Sequence, residues 1–213
     1  MSVLKKISIK DQVYDLIKGR ILDQTYQLGE KINMLELAKE LEISNSPVRE
    51  ALSILESEGL VTFTPHAGPR VVEIDQSLFN EVQDTAKILL VGSYEQCIKK
   101  NLIPDLITLM RDFIAQQKNL SKEHSIESDY RFAQIAIEFD VSLIKILRNT
   151  TLERLYAAFF NLLFLVVLYD HQNYDVDRDE NILEHEQILR AIQEGNHDDV
   201  KKYIELHFSR SIG

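Results

Sequence analysis

The sequence predicts a mainly α protein in two parts: three helices with a small β-hairpin over residues 1–74, and an all-α helical bundle over residues 75–213. Two observations lead there. Three of the four prolines, Pro47, Pro65 and Pro69, precede residue 75, whereas the rest of the chain holds only Pro104 and the glycines Gly92, Gly195 and Gly213. Proline removes a backbone donor and glycine costs backbone entropy, so a long stretch poor in both is free to be helical. Apolar residues also recur there at helical spacing, as in Phe79, Val82, Ala86, Leu89 and Leu90. The boundary falls near Glu73-Ile74-Asp75.

In the first part, Val13, Leu16, Ile17 and Ile21 mark an amphipathic helix over about 9–24. Asn33, with Glu36 three residues on, predicts a capped start for a second helix with Leu37, Ala38 and Leu41 inward. A break over Ile43-Ser44-Asn45-Ser46 leads into a third helix, which Ser44 or Ser46 can cap and which tolerates Pro47 in its first turn. Its inner stripe is Val48, Ala51, Leu52 and Leu55, and Gly59 stops it. Val61-Thr62-Phe63 and Arg70-Val71-Val72 read as two short strands joined by a turn over Pro65–Pro69. Six further helices are expected near 77–100, 103–120, 125–138, 141–169, 177–194 and 197–211. The run Leu162–Leu168 is apolar on all sides, so its helix should be central.

Composition narrows the classes. With 213 residues, 45% hydrophobic and 27% charged, the chain can bury a core without disulfide or metal support. The single cysteine, Cys97, has no intrachain partner, which fits a reducing cytoplasm. The start lacks the apolar stretch of a signal peptide, and the greasiest segment, 155–169, is shorter than the roughly 18 residues of a membrane span. A cytoplasmic protein with no membrane partner is expected.

Two short helices, a tight turn and a hairpin make a winged helix-turn-helix over residues 8–74. With its apolar stripe inward, the third helix turns Ser46, Arg49, Glu50 and Ser53 outward near its start, where a recognition helix meets duplex DNA. Arg49 can grip guanine or a phosphate, and Ser44, Asn45 and Ser46 can donate to phosphates. In the wing, His66 and the backbone around Gly68 are placed to reach the minor groove or its phosphates, with Arg70 nearby as a further DNA-binding candidate. The net charge of −10 runs against this, since residues 1–75 carry 9 Lys/Arg and 12 Asp/Glu. It predicts weak non-specific DNA affinity that falls steeply with salt. The competing reading of the winged helix is a protein-interaction module.

The ordered set Asp11-Gln12-Val13-Tyr14, Leu28-Gly29-Glu30-Lys31-Ile32, Leu37-Ala38, Ser44-Asn45-Ser46-Pro47-Val48-Arg49-Glu50-Ala51-Leu52, Leu55-Glu56-Ser57-Glu58-Gly59-Leu60-Val61 and His66-Ala67-Gly68 closely resembles the GntR family of regulators. The resemblance implies that residues at 44–46, 49 and the wing turn contact an operator. Asn45 departs from it, standing where the family usually has arginine.

The second part resembles the C-terminal FCD domain of the FadR subfamily through Asp129-Tyr130-Arg131-Phe132, Glu184-His185, Ile188–Ile192 and His207. That resemblance implies an effector-binding, dimerising domain, in which many members hold a divalent metal through one aspartate and three histidines. Asp129, His185 and His207 fall on three of those positions, and Ala133 stands on the fourth. Three protein ligands and an open position suit zinc or nickel. His124, His171 and His197 are read as solvated. Lys87 and Val91 replace an arginine and a glutamate common on the first helix of this domain, while Arg148 and Arg154 are candidates to neutralise an acidic effector.

The expectation is thus a homodimeric, effector-controlled regulator, more a repressor than an activator, on a palindromic operator, with an organic acid as effector. Two alternatives remain: a metal-dependent enzyme on the helical part, against which stands the lack of nucleophile-elbow, P-loop, Rossmann and HExxH motifs, and a DNA-binding dimer with a vestigial pocket.

Overall fold

A computed structural model of the chain describes residues 8–64, 67–123, 125–173 and 177–209. It divides into two compact units, Met1–Ile74 and Asp75–Gly213.

The first unit contains α1 (Ile9–Leu22), α2 (Met34–Glu40), α3 (Asn45–Ser57), β1 (Val61–Thr64) and β2 (Gly68–Val71). Ser8 caps α1 by accepting from Asp11 N, and Asn33 caps α2 by accepting from Leu35 N and Glu36 N. Val48, Ala51, Leu52 and Leu55 of α3 are fully buried, against α1 above all. Burying each leucine is worth about 1.5–3 kcal/mol, and rotating the helix by one residue would drive Arg49 into that core, so its outward face is fixed. The hairpin pairs Val61 with Val71 and Thr64 with Gly68, so β2 begins two residues earlier than the sequence predicts. Residues 30–32 extend it: Ile32 N donates to Pro69 O and Val71 N to Glu30 O, each at 2.9 Å.

The second unit is helical: α4 (Gln76–Lys99), α5 (Ile103–Leu120), α6 (Ile126–Lys145), α7 (Thr150–Asn173), α8 (Arg178–Glu194) and α9 (His197–His207). Each start has a local cause. Asp75 accepts from Leu78 N, Ser125 and Ser128 form a capping box, and Asp177 and Asn196 cap α8 and α9. Helix α6 lies against α4, α5 and α7, and α8 against α5 and α9.

The predicted break near 139–140 is not there. Residues 139–144 are all buried, so the stretch shows no polar face by which to read a helix. The chain turns later, where Arg148 takes a left-handed conformation (φ 47°) and Asn149 Oδ1 accepts from Thr151 N and Leu152 N to open α7. Asp140 therefore sits inside α6 and not in a loop. Helix α7 buries Leu163–Val166 and Leu168. Among the described residues no single helix is long and apolar enough to cross a membrane.

Candidate nucleic-acid interface and metal centre

Ser44, Asn45, Ser46, Arg49 and Glu50 are all exposed at the start of α3. Ser44 occupies the N-cap position but makes no cap hydrogen bond, and Ser46 Oγ donates to Glu50 Oε1 at 3.0 Å, so neither serine caps α3 as the sequence suggests. This leaves backbone amides of the first turn open to an anion, at the positive end of the helix dipole.

The wing residues differ from one another. His66 lies outside the described residues. Gly68 has φ 85°, a conformation that an L side chain adopts only with strain. Arg70 is half-buried, and its Nη1 donates to Gly29 O at 2.9 Å, tying the hairpin to the turn after α1.

In the helical unit, Asp140 of α6, His185 of α8 and His207 of α9 converge: one ligand atom from each lies within 4.8 Å of the others, and all three residues are buried. The two Nε2 atoms are 3.3 Å apart, and Asp140 oxygens lie 3.8 Å from His185 Nε2 and 3.6 Å from His207 Nε2. A tetrahedron of bonds of about 2.0–2.1 Å has edges of about 3.3–3.4 Å, so the trio is nearly spaced for one small cation. The neighbours fix the tautomers. A carboxylate only accepts, so His207 Nδ1 carries a proton toward Glu184 Oε2 (2.7 Å). Gln117 Nε2 donates to Asn181 Oδ1 (3.0 Å), which turns Gln117 Oε1 to accept from His185 Nδ1 (2.8 Å). Both Nε2 lone pairs then face the Asp140 carboxylate, and three acceptors at one point call for a positive charge among them.

The titration behaviour agrees. Burial raises the Asp140 carboxyl above its ordinary range. Burial opposes charge on His207, but the Asp140 carboxylate and the hydrogen bond to Glu184 outweigh it and push His207 up to about 9. The cluster holds a proton more tightly than its separate parts would.

Asp129 is not brought to this centre. It lies 11 residues before Asp140, about 16 Å along α6, and its carboxylate accepts from Arg178 Nη2. The buried Arg178 guanidinium also donates to Leu120 O (2.7 Å), Glu123 O and Ser128 Oγ (3.1 Å), and lies over the Phe132 ring. Sequence reasoning missed Asp140, Gln117 and Arg178. The signal for Asp140 was a carboxylate amid a run of apolar residues, which is costly to bury without a purpose. His197, read as solvated, is exposed and also meets Tyr94 Oη through Nδ1 at 2.8 Å. His124 and the His171 side chain lie outside the described residues.

A cavity of about 50 Å³ adjoins the cluster, lined by Asp140 and His207, by Gln83, Asp170 and Asn181, and by apolar side chains of α4, α6 and α7. Arg148 and Arg154 are exposed and do not line it. Lys87 pairs with Asp84 and, with Val91, borders a separate surface groove. A larger groove of about 650 Å³ between α5 and α8 is edged by Arg111, Lys118, Glu186, Arg190 and Glu194, with Lys118–Glu186 and Arg190–Glu194 ion pairs on its rim.

A winged helix with a solvent-facing polar recognition surface, followed in the chain by a helical unit with a buried ligand centre, defines a DNA-binding transcriptional regulator. Residues 9–71 match the family model of the bacterial regulatory proteins, gntR family, and residues 97–210 that of the FCD domain, so the chain belongs to the GntR family and carries an FCD domain. It is 26% identical over 200 residues to an uncharacterized HTH-type transcriptional regulator, YdhC, of Bacillus subtilis (strain 168), covering 93% of this chain and 87% of that one. The Uxu operon regulator of Haemophilus influenzae is 24% identical over 212 residues, covering 92% and 77%. The solved structure of E. coli McbR/YncC has the same fold, with a TM-score of 0.67 at 16% identity over 95% of this chain and 94% of its own. The two curated relatives are described as regulators.

Proposed function

We propose that the protein is a homodimeric repressor that reads a palindromic operator in the bacterial cytoplasm, with an effector bound in its helical unit setting operator affinity. The observation that carries the DNA-reading part is the segregation within α3, where Val48, Ala51, Leu52 and Leu55 are fully buried while Ser44, Asn45, Ser46 and Arg49 face solvent. Arg49 supplies the base or phosphate clamp, and the serines and Asn45 fix the register on the backbone. Arg70 acts by holding the wing in place. In the helical unit, Asp140, His185 and His207 hold a divalent cation, zinc or nickel, whose charge satisfies the three facing acceptors. An effector acts through its differential affinity for two arrangements of the dimer.

A duplex selected by the protein from a random pool provides the probe. Arg49→Ala should weaken binding to it by about 1–3 kcal/mol, roughly 5- to 150-fold, in gel shifts at fixed salt. Unchanged affinity would remove Arg49 from the interface. Gln117→Leu takes away the acceptor that orients His185, and metal affinity should drop about 10- to 100-fold in competition with a chromophoric chelator.

A further inference from the structure

We propose, on the regulator reading above, that Glu50 sets part of the operator sequence: its carboxylate accepts a hydrogen bond from the exocyclic amine of a cytosine in the major groove. Glu50 is exposed in the second turn of α3 beside Arg49, and Ser46 Oγ donates to its Oε1 at 3.0 Å.

Position favours this role. Each residue of an α-helix turns about 100° from the last, so the midline opposite the buried stripe of Val48, Ala51, Leu52 and Leu55 falls close to Ser46 and about 30° from Glu50. Arg49 stands about 70° from that midline on the same reckoning. The carboxylate is therefore nearer than the guanidinium to the centre of the face that a recognition helix lays in the groove. Charge narrows the target. Among the described residues Glu50 forms no ion pair, with Arg49 or with any other cation. Set against a duplex, its carboxylate meets phosphate oxygens, the N7 and O6 of guanine and the O4 of thymine, all acceptors like itself. Only the N4 amine of cytosine and the N6 amine of adenine donate in that groove. Adenine sets its N7 acceptor beside the amine, facing the second carboxylate oxygen, whereas cytosine offers a C–H edge there. Cytosine is the base that fits.

The bond from Ser46 prepares the contact. It holds the Glu50 side chain along the helix and leaves Oε2 for the base. Ser46 keeps its backbone amide, in the open first turn of α3, for a phosphate. A carboxylate held before docking loses little rotamer freedom on binding. The same charge acts against wrong sequences. Where no amine stands opposite, the carboxylate is desolvated without a donor and repelled by phosphates, so Glu50 discriminates by penalty as well as by attraction. That suits residues 1–75, which carry 12 Asp/Glu against 9 Lys/Arg and so gain little from non-specific attraction.

The test runs selection from a random duplex pool with the full parent chain and with Glu50→Gln and Glu50→Ala, circular dichroism checking that each variant folds. The parent should select a cytosine whose replacement by any other base costs about 5- to 150-fold in affinity in gel shifts at fixed salt. Glu50→Gln, whose amide both donates and accepts, should change that one position to adenine and leave the rest of the site as it was. Glu50→Ala should bind all four pairs at that position within about twofold of one another, and should hold an unrelated duplex more tightly than the parent does. Retention of the parent's bases at every position by both variants, or affinity lost evenly across sequences as a misplaced helix gives, overturns the assignment while leaving the regulator reading intact. A parent chain that enriches no sequence overturns that reading as well.

Discussion

Arg178→Ala should unfold the helical unit at a temperature about 10 °C below that of the parent chain in calorimetry. Arg178 is 7% exposed, and its guanidinium supplies donors to the end of α5 at Leu120 O, to Glu123 O and to Ser128 and Asp129 at the start of α6. Removing one partner of such a buried network typically costs about 3–5 kcal/mol, because the remaining groups lose their donors without regaining water. At about 2–4 °C per kcal/mol for a chain of this size, a shift of that order follows. Arg178→Lys should recover little, since an ammonium cannot span carbonyls on two segments and a carboxylate as a planar fork does. A loss below about 1 kcal/mol would show that the tie is ornamental.

The metal-stripped protein should lose stability as pH rises from 6.5 to about 9. The folded state holds the His207 proton with a pKa near 9, whereas an exposed imidazole titrates near 6.5. A pKa raised on folding contributes stability that is fully present below the unfolded value and gone above the folded one. The shift corresponds to something on the order of 3 kcal/mol across that window. Metal reverses the slope, since the ligands must give up protons to bind it, and the gain in Tm on adding Zn²⁺ should widen with pH. At a thousandfold excess over Kd that gain is about 4 kcal/mol. Chemical denaturation of stripped and loaded protein at several pH values reads both slopes, and His207→Gln should flatten the first. A stripped protein of constant stability through the window would mean that the cluster does not trap a proton.

The DNA-reading unit was legible because its signals are local. Asn33 and Pro47 punctuate helix starts, and the spacing of Val48, Ala51, Leu52 and Leu55 dictates which face of α3 is left over. The candidate metal centre was half legible. His185 and His207 are rare residues on otherwise periodic helices, so they stand out in the sequence. Asp140 does not, because a helix buried on all sides carries no periodicity, and the break was placed on the one charged residue of that stretch. The true end of α6 depends on Arg148 adopting a left-handed backbone, a conformation that its residue type does not advertise. Arg178 and Gln117 were invisible for a different reason. Their partners lie 49–58 and 64–68 residues away, a separation at which single-sequence patterns say nothing.

The stitching of the hairpin to residues 29–32 has a thermodynamic consequence. With Arg70 fastened to the Gly29 carbonyl and a third extended segment along β2, the second strand of the wing is held in place before any duplex arrives. Docking then forfeits little chain entropy on that side. A strand pinned in this way favours grooves of one width, since it meets one spacing of phosphates better than another.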